Sequence, residues 1–271
     1  MSLPLHALFC AALIGAVSSS GTHAATPYDA VADFSTTSNT ASSTWSYRVS
    51  TSAAHDGNYQ LLPTYGVFAG FTGPPAGTSG WNVAGVPAIG VNTSGSDQYF
   101  VGFGPGAQFT WPAGTMFMHP GPTALAVVSW LAPTAASLSI SFRFSDLDAN
   151  PAFTDGINWT VEKNNGGATL ASGTFVNGGN SGALATLNNV TVNAGDRIQF
   201  VVGPNADYQG DSTRLQASIV ASPVPEPAPW ALALCGSALL LALRRDREPG
   251  AAPDTTTGPQ APNTTHGHRA L

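Results

Sequence analysis

The chain has 271 residues, a formal net charge of −6 at pH 7, and charged side chains at only 9% of its positions. An average soluble protein has roughly 25%, and the segment 25–222 holds just five cations, so basic patches for nucleic acid or anionic lipid are excluded. The two cysteines, Cys10 and Cys235, lie in apolar segments near the ends, so the middle of the chain has to fold by burial of apolar surface without disulfides.

The first 24 residues are typical of a secretory signal peptide. The apolar run from Leu8 to Val17 is too short to span a bilayer, and small residues at Thr22 and Ala24 precede a cleavage point. We predict cleavage after Ala24 and export across the inner membrane. A retained anchor or a buried helix is the alternative.

Short stretches with apolar and aromatic residues predict the first strands of the segment that follows. These are YDAVADF (28–34), TWSYRVS (44–50), QYFVGF (98–103), AQFTW (107–111) and TMFMHP (115–120). Between them, FAGFTGPPAGTSGW (68–81) is rich in glycine and proline and predicts a loop.

Three aromatic residues of this region, Tyr59, Tyr65 and Trp81, fall outside the predicted strands. Aromatic rings in exposed loops can stack on the apolar faces of sugars, so these three are our candidates for sugar contact. The alternative is that they belong to the core, which we expect for Trp130 and Trp159 because those lie within strand patterns.

The second half of the chain alternates apolar and polar residues more regularly. In SLSISFRFSD (137–146), Leu138, Ile140, Phe142 and Phe144 point one way, which predicts a half-buried strand. Further strands are predicted in ALAVVSWLAP (124–133), ATLNNVTV (185–192), GDRIQFVVGPN (195–205) and TRLQASIVAS (213–222), and a hairpin in 157–175 turning at 164–167.

Many short strands separated by Gly, Pro and Asn turns predict an all-β fold. Outside the two ends, no segment has helical periodicity over ten residues. We therefore expect residues 25–222 to form one antiparallel two-sheet sandwich, and we prefer a jelly roll.

Aspartates gather at two places that suggest calcium. Asp146, Asp148 and Asp155 lie in SDLDANPAFTDG, between predicted strands, and Asp211 lies in NADYQGDST. Carboxylate oxygens suit Ca²⁺, but the spacing lacks the glycine and terminal glutamate of an EF-hand. In a jelly roll the last strand lies near an early one, so Asp211 could share an ion with Asp33 or Asp29. The alternative is turn formation by aspartate side chains, in which case the chain has no cofactor.

Catalytic motifs are missing from the sequence. Glycoside cleavage needs two carboxylic acids across a cleft, and nothing singles out a pair among the eleven acidic residues of 25–222. The sequence has no G-x-S-x-G motif and no His/Cys cluster with metal-ligand spacing. We expect a protein that is not an enzyme.

The pattern of YDAVADFS, WSYRVS, MHPG, VVSWLAP, GINWTV, AGDRIQFVVGPN and DST, in this order, resembles β-sandwich domains of exported bacterial proteins. Those domains are generally held to be similar to carbohydrate-binding modules, in which structural calcium near the ends of the sandwich is familiar. The resemblance implies a sandwich and allows exopolysaccharide as a partner, but it carries no binding specificity.

The segment 223–247 combines four prolines, a short apolar run and three arginines. Val224-Pro225-Glu226-Pro227, then Leu232 to Leu243, then Arg244 and Arg245, resembles the PEP-CTERM sorting signal of Gram-negative bacteria that make exopolysaccharide. The resemblance implies recognition at Pro225, Glu226, Pro227, Arg244 and Arg245 by an exosortase, a membrane peptidase.

The apolar run of the sorting signal forms, on this hypothesis, a transmembrane helix that is a temporary anchor in the inner membrane. A run of about 14 apolar residues measures roughly 21 Å as a helix, which is short for a permanent span. Unlike members of that family, the chain continues through a Pro/Thr/Gly-rich segment, 248–271, which we expect to be disordered. The alternative is a permanently anchored single-pass surface protein.

Together these features predict an exported, non-enzymatic protein of the cell surface or extracellular matrix. An exosortase would process it through its C-terminal signal. The leading alternative is a carbohydrate-binding module acting on exopolysaccharide.

Overall fold

The computed structural model describes residues 24–67, 78–101, 108–148, 155–176, 178–224 and Ser237. The chain divides into two compact units, one of which is Ser20–Val224 and holds all of these except Ser237. The predicted signal peptide and the sorting segment beyond Val224 lie almost wholly outside the described residues. Within the described ranges, no helix has the length and apolarity needed to cross a membrane.

The described part of Ser20–Val224 is built from sixteen β-strands. In chain order they are β1 (Thr26–Asp29), β2 (Trp45–Ser50), β3 (Tyr59–Leu61), β4 (Thr64–Val67), β5 (Ser79–Asn82), β6 (Ala88–Val91), β7 (Gln98–Val101), β8 (Gln108–Trp111), β9 (Met116–His119), β10 (Ala126–Leu131), β11 (Ala136–Asp146), β12 (Ile157–Lys163), β13 (Ala168–Phe175), β14 (Ala185–Val192), β15 (Arg197–Pro204) and β16 (Thr213–Pro223).

The strands form two large antiparallel sheets and a small hairpin sheet. Sheet A has the order β14-β11-β16-β9-β6-β5-β4, with β1 also paired to β16. Sheet B has the order β13-β12-β15-β10-β2-β3, and β7 pairs with β8. The all-β, antiparallel sandwich predicted from the sequence is confirmed. The last eight strands are divided as β9-β16-β11-β14 and β10-β15-β12-β13, which is the strand order of a jelly roll.

The core lies between sheets A and B and is filled by the alternating apolar residues of their strands. Along β11, buried and partly exposed residues alternate, as the sequence predicts. The Phe142 ring lies 5.7 Å from the Trp159 ring of β12 and 6.3 Å from the Phe200 ring of β15. Burial of each such side chain contributes about 1.5–3 kcal/mol, so the contacts between sheets hold the sandwich together.

Two strands share one edge of β16. Asp29 of β1 lies opposite Ser218, and Met116 of β9 lies opposite Leu215. The backbone N–H of Ala30 donates to Ala217 O at 3.0 Å, after which the chain leaves the sheet. Sheet A therefore has a break between the end of β1 and the start of β9, and the floor of that break is β16.

The β7–β8 hairpin covers the outer face of sheet A beside this break. Phe117 of β9 points away from the core and stacks on Phe109 of the hairpin, with ring centroids 5.2 Å apart. Trp111 packs there too and is fully buried. Because the hairpin seals this region, the outer face is open mainly toward β16 and β11.

The outer face of sheet B is covered as well. Glu162 of β12 is 1% exposed, accepts a hydrogen bond from the Tyr59 hydroxyl and lies 3.5 Å from His55 Nδ1. The Arg48 guanidinium donates to Tyr59 O at 2.9 Å. These buried polar groups are hydrogen-bonded or ion-paired to one another, so they are not available to a ligand.

Most predicted strands are confirmed, with two differences. The 28–34 prediction is wrong beyond Asp29, because Asp29 Oδ1 accepts hydrogen bonds from the N–H groups of Val31 and Ala32, both at 2.9 Å, and turns the chain. The sequence reasoning also missed β3 to β6, whose glycines and short lengths hide any alternation. The end of the predicted 68–81 loop belongs to β5.

Candidate functional site

A groove lies at the break in sheet A. Its volume is about 420 Å³, within the roughly 300–1,000 Å³ of small-molecule sites. It is lined by Asp29, Val31, Ala32, Gly114, Thr115, Ser141, Leu184 and residues 214–218.

Three side chains of β16 lie along the floor of the groove. Arg214, Gln216 and Ser218 alternate with the buried Leu215 and Ala217, so they point outward at about 6.6 Å intervals. None of the three side chains makes a hydrogen bond to any residue that the structure describes. The floor therefore offers a guanidinium, an amide and a hydroxyl to a ligand.

The walls add one carboxylate and two apolar side chains. Oδ1 of Asp29 is occupied by the turn after β1, whereas its Oδ2 accepts no hydrogen bond within the described ranges. Leu184 is 58% exposed, and Val31 is partly buried. Donors, acceptors and small apolar surfaces together suit a polyhydroxylated ligand, because sugars present both hydroxyl groups and apolar C–H faces.

A second feature, the aspartate cluster, is formed by Asp146, Asp148, Asp155, Asp207 and Asp211. The sequence placed these residues in two separate loops, after β11 and after β15. The structure brings the loops together: Ala206 N–H donates to Asp155 Oδ2 at 2.6 Å, and Ser212 N–H donates to Asp148 Oδ2 at 2.6 Å.

Asp211 is the unusual member of the aspartate cluster. It is 1% exposed, and neither of its carboxylate oxygens has a hydrogen-bond partner among the described residues. Burial, reinforced by the charges of the other four aspartates, raises the pKa of Asp211 to about 9. Burial likewise raises the pKa of Asp148 to about 7. A buried carboxylate without a partner is costly, so this position needs a proton or a cation.

The aspartate cluster fits calcium by the chemistry of its donors. Calcium takes six to eight oxygen ligands, including backbone carbonyls and water as well as carboxylates. Besides the two oxygens of Asp211, Asp155 keeps one carboxylate oxygen that accepts no hydrogen bond within the described ranges. Even so, no three His, Cys, Asp or Glu side chains in the described ranges converge as they would around a bound metal.

Asp33 does not join the aspartate cluster, so the predicted pairing of Asp33 with Asp211 is wrong. Asp33 Oδ2 accepts from the Asp29 N–H at 2.9 Å and from Trp45 Nε1 at 3.3 Å. Asp29 lies opposite Ser218, seven residues along the chain from Asp211, which is roughly 20 Å in an extended strand. The last strand does pair with an early one, but in a register that separates the two carboxylates.

The three predicted sugar-contact rings all lie in strands. Trp81 of β5 is 8% exposed and its Nε1–H donates to Ser35 O at 2.7 Å, while Tyr59 of β3 is 5% exposed. The expected exposure of these two rings is wrong, because both pack into apolar clusters. Tyr65 of β4 is partly buried, edge-on against Trp81, and stays a prediction. Among the described residues, Tyr99 is an exposed ring, at 57%, that was not among the candidates from the sequence.

The sorting residues Pro225, Glu226, Pro227, Arg244 and Arg245 lie outside the described residues. Their recognition by an exosortase stays a prediction from the sequence.

No known family model matches the chain, and neither does any curated protein. Among solved structures it is similar to a family 35 carbohydrate-binding module from Clostridium thermocellum, with 14% identity over 72% of this chain and 97% of that one, and a TM-score of 0.24.

Two further solved structures are complexes with oligosaccharides. CBM36, a carbohydrate-binding module solved with calcium and xylotriose, is 19% identical over 41% of this chain and 82% of that one, with a TM-score of 0.23. TmCBM61, solved with beta-1,4-galactotriose, is 12% identical over 41% of this chain and 70% of that one, with a TM-score of 0.25. Likenesses at these TM-scores carry no argument for this chain.

Proposed function

We propose that this chain is a non-catalytic carbohydrate-binding protein whose ligand lies in the groove of sheet A. The observation that carries the proposal is the floor of the groove. Arg214, Gln216 and Ser218 present hydrogen-bonding groups outward, with no described partner, along one strand. A row of unsatisfied donors and acceptors on a rigid strand is preorganised for the hydroxyl groups of a saccharide.

The composition of the groove supports binding rather than catalysis. Asp29 is the one carboxylate among its lining residues, whereas glycoside hydrolysis uses two. The aspartate cluster has several carboxylates, but its central residue Asp211 is 1% exposed and Asp148 is 8% exposed. Burial to this extent keeps a polysaccharide away from them.

The proposal is tested by affinity electrophoresis of the purified full-length chain in gels that contain xylan, galactan, dextran or polygalacturonate. We expect retardation in at least one gel. Gln216→Ala should weaken that binding about tenfold, because it removes a hydrogen-bonding group of the floor.

The matched control is Asn188→Ala on β14, which is separated from β16 by β11 in the same sheet. Asn188 is exposed, and its Oδ1 accepts from Ser139 Oγ at 2.9 Å, away from the groove lining. This variant should bind like the original chain. The proposal would be contradicted if no polysaccharide retarded the chain, or if both variants lost the same amount of affinity.

We further propose that the aspartate cluster holds a structural Ca²⁺. Asp211, Asp148 and Asp155 would supply carboxylate oxygens, and the ion would neutralise charges that now repel one another. The support is the buried carboxylate of Asp211, both of whose oxygens lack a described partner. The ion would fix the loops after β11 and β15 next to each other.

Delivery to the cell surface or matrix is a separate proposal that rests on the sequence. An N-terminal signal peptide (1–24) and the Pro225-Glu226-Pro227 motif with its apolar run and arginines support export and processing by an exosortase. Mass spectrometry of the mature protein from the native host tests it. We expect an N-terminus at Ala25 and loss of the arginines at the other end, whereas an intact C-terminus would indicate a permanently anchored protein.

A further inference from the structure

Two of the five cations in the segment 25–222 have neither a hydrogen-bond partner nor a counter-ion among the described residues. Lys163 pairs with Asp196 at 2.8 Å. Arg48 and Arg197 donate to serine hydroxyls and backbone carbonyls. By contrast, Arg143 and Arg214 make no hydrogen bond or ion pair to any residue of the described ranges, and the Nε of each is buried.

These two arginines are neighbours on the outer face of sheet A. In the β11–β16 register, Arg143 lies opposite Gln216 and Arg214 lies opposite Ser145. They are therefore diagonal neighbours, about 7–8 Å apart, and both alternate with buried residues. Arg214 lines the groove, and Arg143 lies two residues along β11 from Ser141, which also lines it.

Like charges placed side by side repel each other, and buried N–H groups without acceptors are costly. Eleven acidic residues are available in 25–222, yet the two described ion pairs involve His55 and Lys163. Asp29, the carboxylate of the groove, lies at its other end, opposite Ser218. An anion supplied by a ligand would satisfy both arginines at once.

We propose that the groove selects saccharides that carry carboxylate groups, and that Arg214 together with Arg143 binds the carboxylate of a uronate residue. This inference rests on the proposed function and names its ligand class. A guanidinium matches a planar carboxylate with two parallel hydrogen bonds, which a neutral sugar cannot offer. Gln216, Ser218 and Asp29 would contact hydroxyl groups of the adjoining sugar.

The test compares four polymers against the purified full-length chain by affinity electrophoresis and calorimetry. They are polygalacturonate, its methyl ester, dextran sulfate and dextran. We expect polygalacturonate to bind at least tenfold more tightly than its methyl ester, which has the same sugar without the charge. Binding should weaken as salt rises.

Three variants test whether the two arginines cause the tighter binding of polygalacturonate. Arg214→Gln and Arg143→Gln should each lower the affinity for polygalacturonate about tenfold and reduce its salt dependence. Lys163→Gln removes the same charge from a residue that is paired to Asp196, away from the groove lining, and should leave binding unchanged. Thermal melts of all three variants check that they are folded.

The outcomes separate this inference from the proposed function. If polygalacturonate, its ester and dextran bind equally well and Gln216→Ala weakens all three, the result supports saccharide binding in the groove but overturns the selectivity for carboxylates. Binding to dextran sulfate alone would show that the arginines bind sulfate esters, and it would also overturn the selectivity for carboxylates. If the chain binds none of the four polymers and none of the other polysaccharides in the gels, the proposed function itself is refuted.

Discussion

Asp211 is a buried aspartate whose charge has no compensating partner among the described residues. Its carboxylate is buried against four others, so the negative charge is unfavourable unless a proton or a cation compensates it. From the sequence, Asp146, Asp148, Asp155, Asp33 and Asp211 were candidate calcium ligands, because aspartates in loops suit oxygen coordination. The sequence could not show which of them meet, since Asp148 and Asp211 are 63 residues apart in the chain.

We predict that Asp211→Asn stabilises the chain without calcium and abolishes its response to calcium. In EDTA at pH 7 the variant should have a free energy of unfolding at least about 2 kcal/mol higher, because it carries no buried charge that must be protonated. Calcium at 100 times its Kd should add about 2.7 kcal/mol to the original chain and little to the variant. Chemical denaturation with EDTA or CaCl₂ measures both.

The control for this prediction is Asp56→Asn. Asp56 is exposed and its Oδ1 accepts from the Asn58 N–H at 3.0 Å, so its stability and calcium response should follow the original chain. Identical unfolding curves of the original chain in EDTA and in calcium would argue that Asp211 is simply protonated.

His119 gives the fold a sensitivity to acid. It is 7% exposed, its Nδ1 lies 2.6 Å from Pro120 O, and burial lowers its pKa to about 4. Between pH 6.5 and about 4, the unfolded chain binds a proton at this residue and the folded chain does not. The stability due to neutral His119 is therefore present above pH 6.5 and is lost as the pH falls toward 4.

We predict that His119→Gln flattens this acid dependence. Glutamine can still donate to Pro120 O but does not titrate. From pH 7 to pH 4.5 the original chain should lose about 2 kcal/mol more than the variant. Urea denaturation at the two pH values measures the difference, and equal losses in the two proteins would show that His119 is protonated in the fold.

At the scale of elements, alternation in the sequence predicts the strands that form the core and fails for those at the margin. β11 and β16 alternate over eleven residues each, and the structure confirms both. β5 reads Ser-Gly-Trp-Asn and β6 reads Ala-Ile-Gly-Val, so their glycines remove the side chains that would reveal a strand. Burial of Trp81 follows from the pairing of β5 with β4 and β6, which composition does not encode.

The alternation in β16 predicts not only a strand but also which of its side chains point outward. Arg214, Gln216 and Ser218 occupy its outward positions, so the floor of the groove was readable as one polar face. The groove itself was not, because it depends on β1 and β9 sharing an edge of β16. That arrangement joins residues nearly 200 positions apart.

Gly90 tests the packing of the β7–β8 hairpin on sheet A. A Cβ at this position would lie 2.8 Å from Ser79 O and 2.9 Å from Cη2 of the buried Trp111. We predict that Gly90→Ala destabilises the chain by about 1–3 kcal/mol, because strand and indole must both move. Denaturation midpoints measure the effect.

Gly66 on β4 of the same sheet is the matched control, since a Cβ there meets nothing within 4 Å. Gly66→Ala should change stability by less than about 0.5 kcal/mol. Similar effects of the two alanines would mean that Trp111 does not lie against β6.

At the scale of the whole molecule, charge is sparse and unevenly placed. The aspartate cluster concentrates five of the eleven acidic residues of 25–222 at the end of β11 and in two adjoining loops. By contrast, Arg143 and Arg214, which have no partner among the described residues, lie on the outer face of sheet A. Screening limits charge effects to about 8 Å at physiological salt, so the arginines can attract an anionic saccharide although the chain is acidic. Calcium in the cluster would reduce the net negative charge further.

Covalent footprinting of the full-length chain with and without saturating oligosaccharide tests directly whether a saccharide binds in the groove. The probes are a galacturonate trimer and a xylose trimer, and labelled peptides are quantified by mass spectrometry. We predict reduced labelling confined to residues 29–32, 114–115 and 214–218, with a stronger reduction for the galacturonate trimer. Protection at the exposed Tyr99 or elsewhere on the sandwich, with residues 214–218 still labelled, would contradict a saccharide site in the groove.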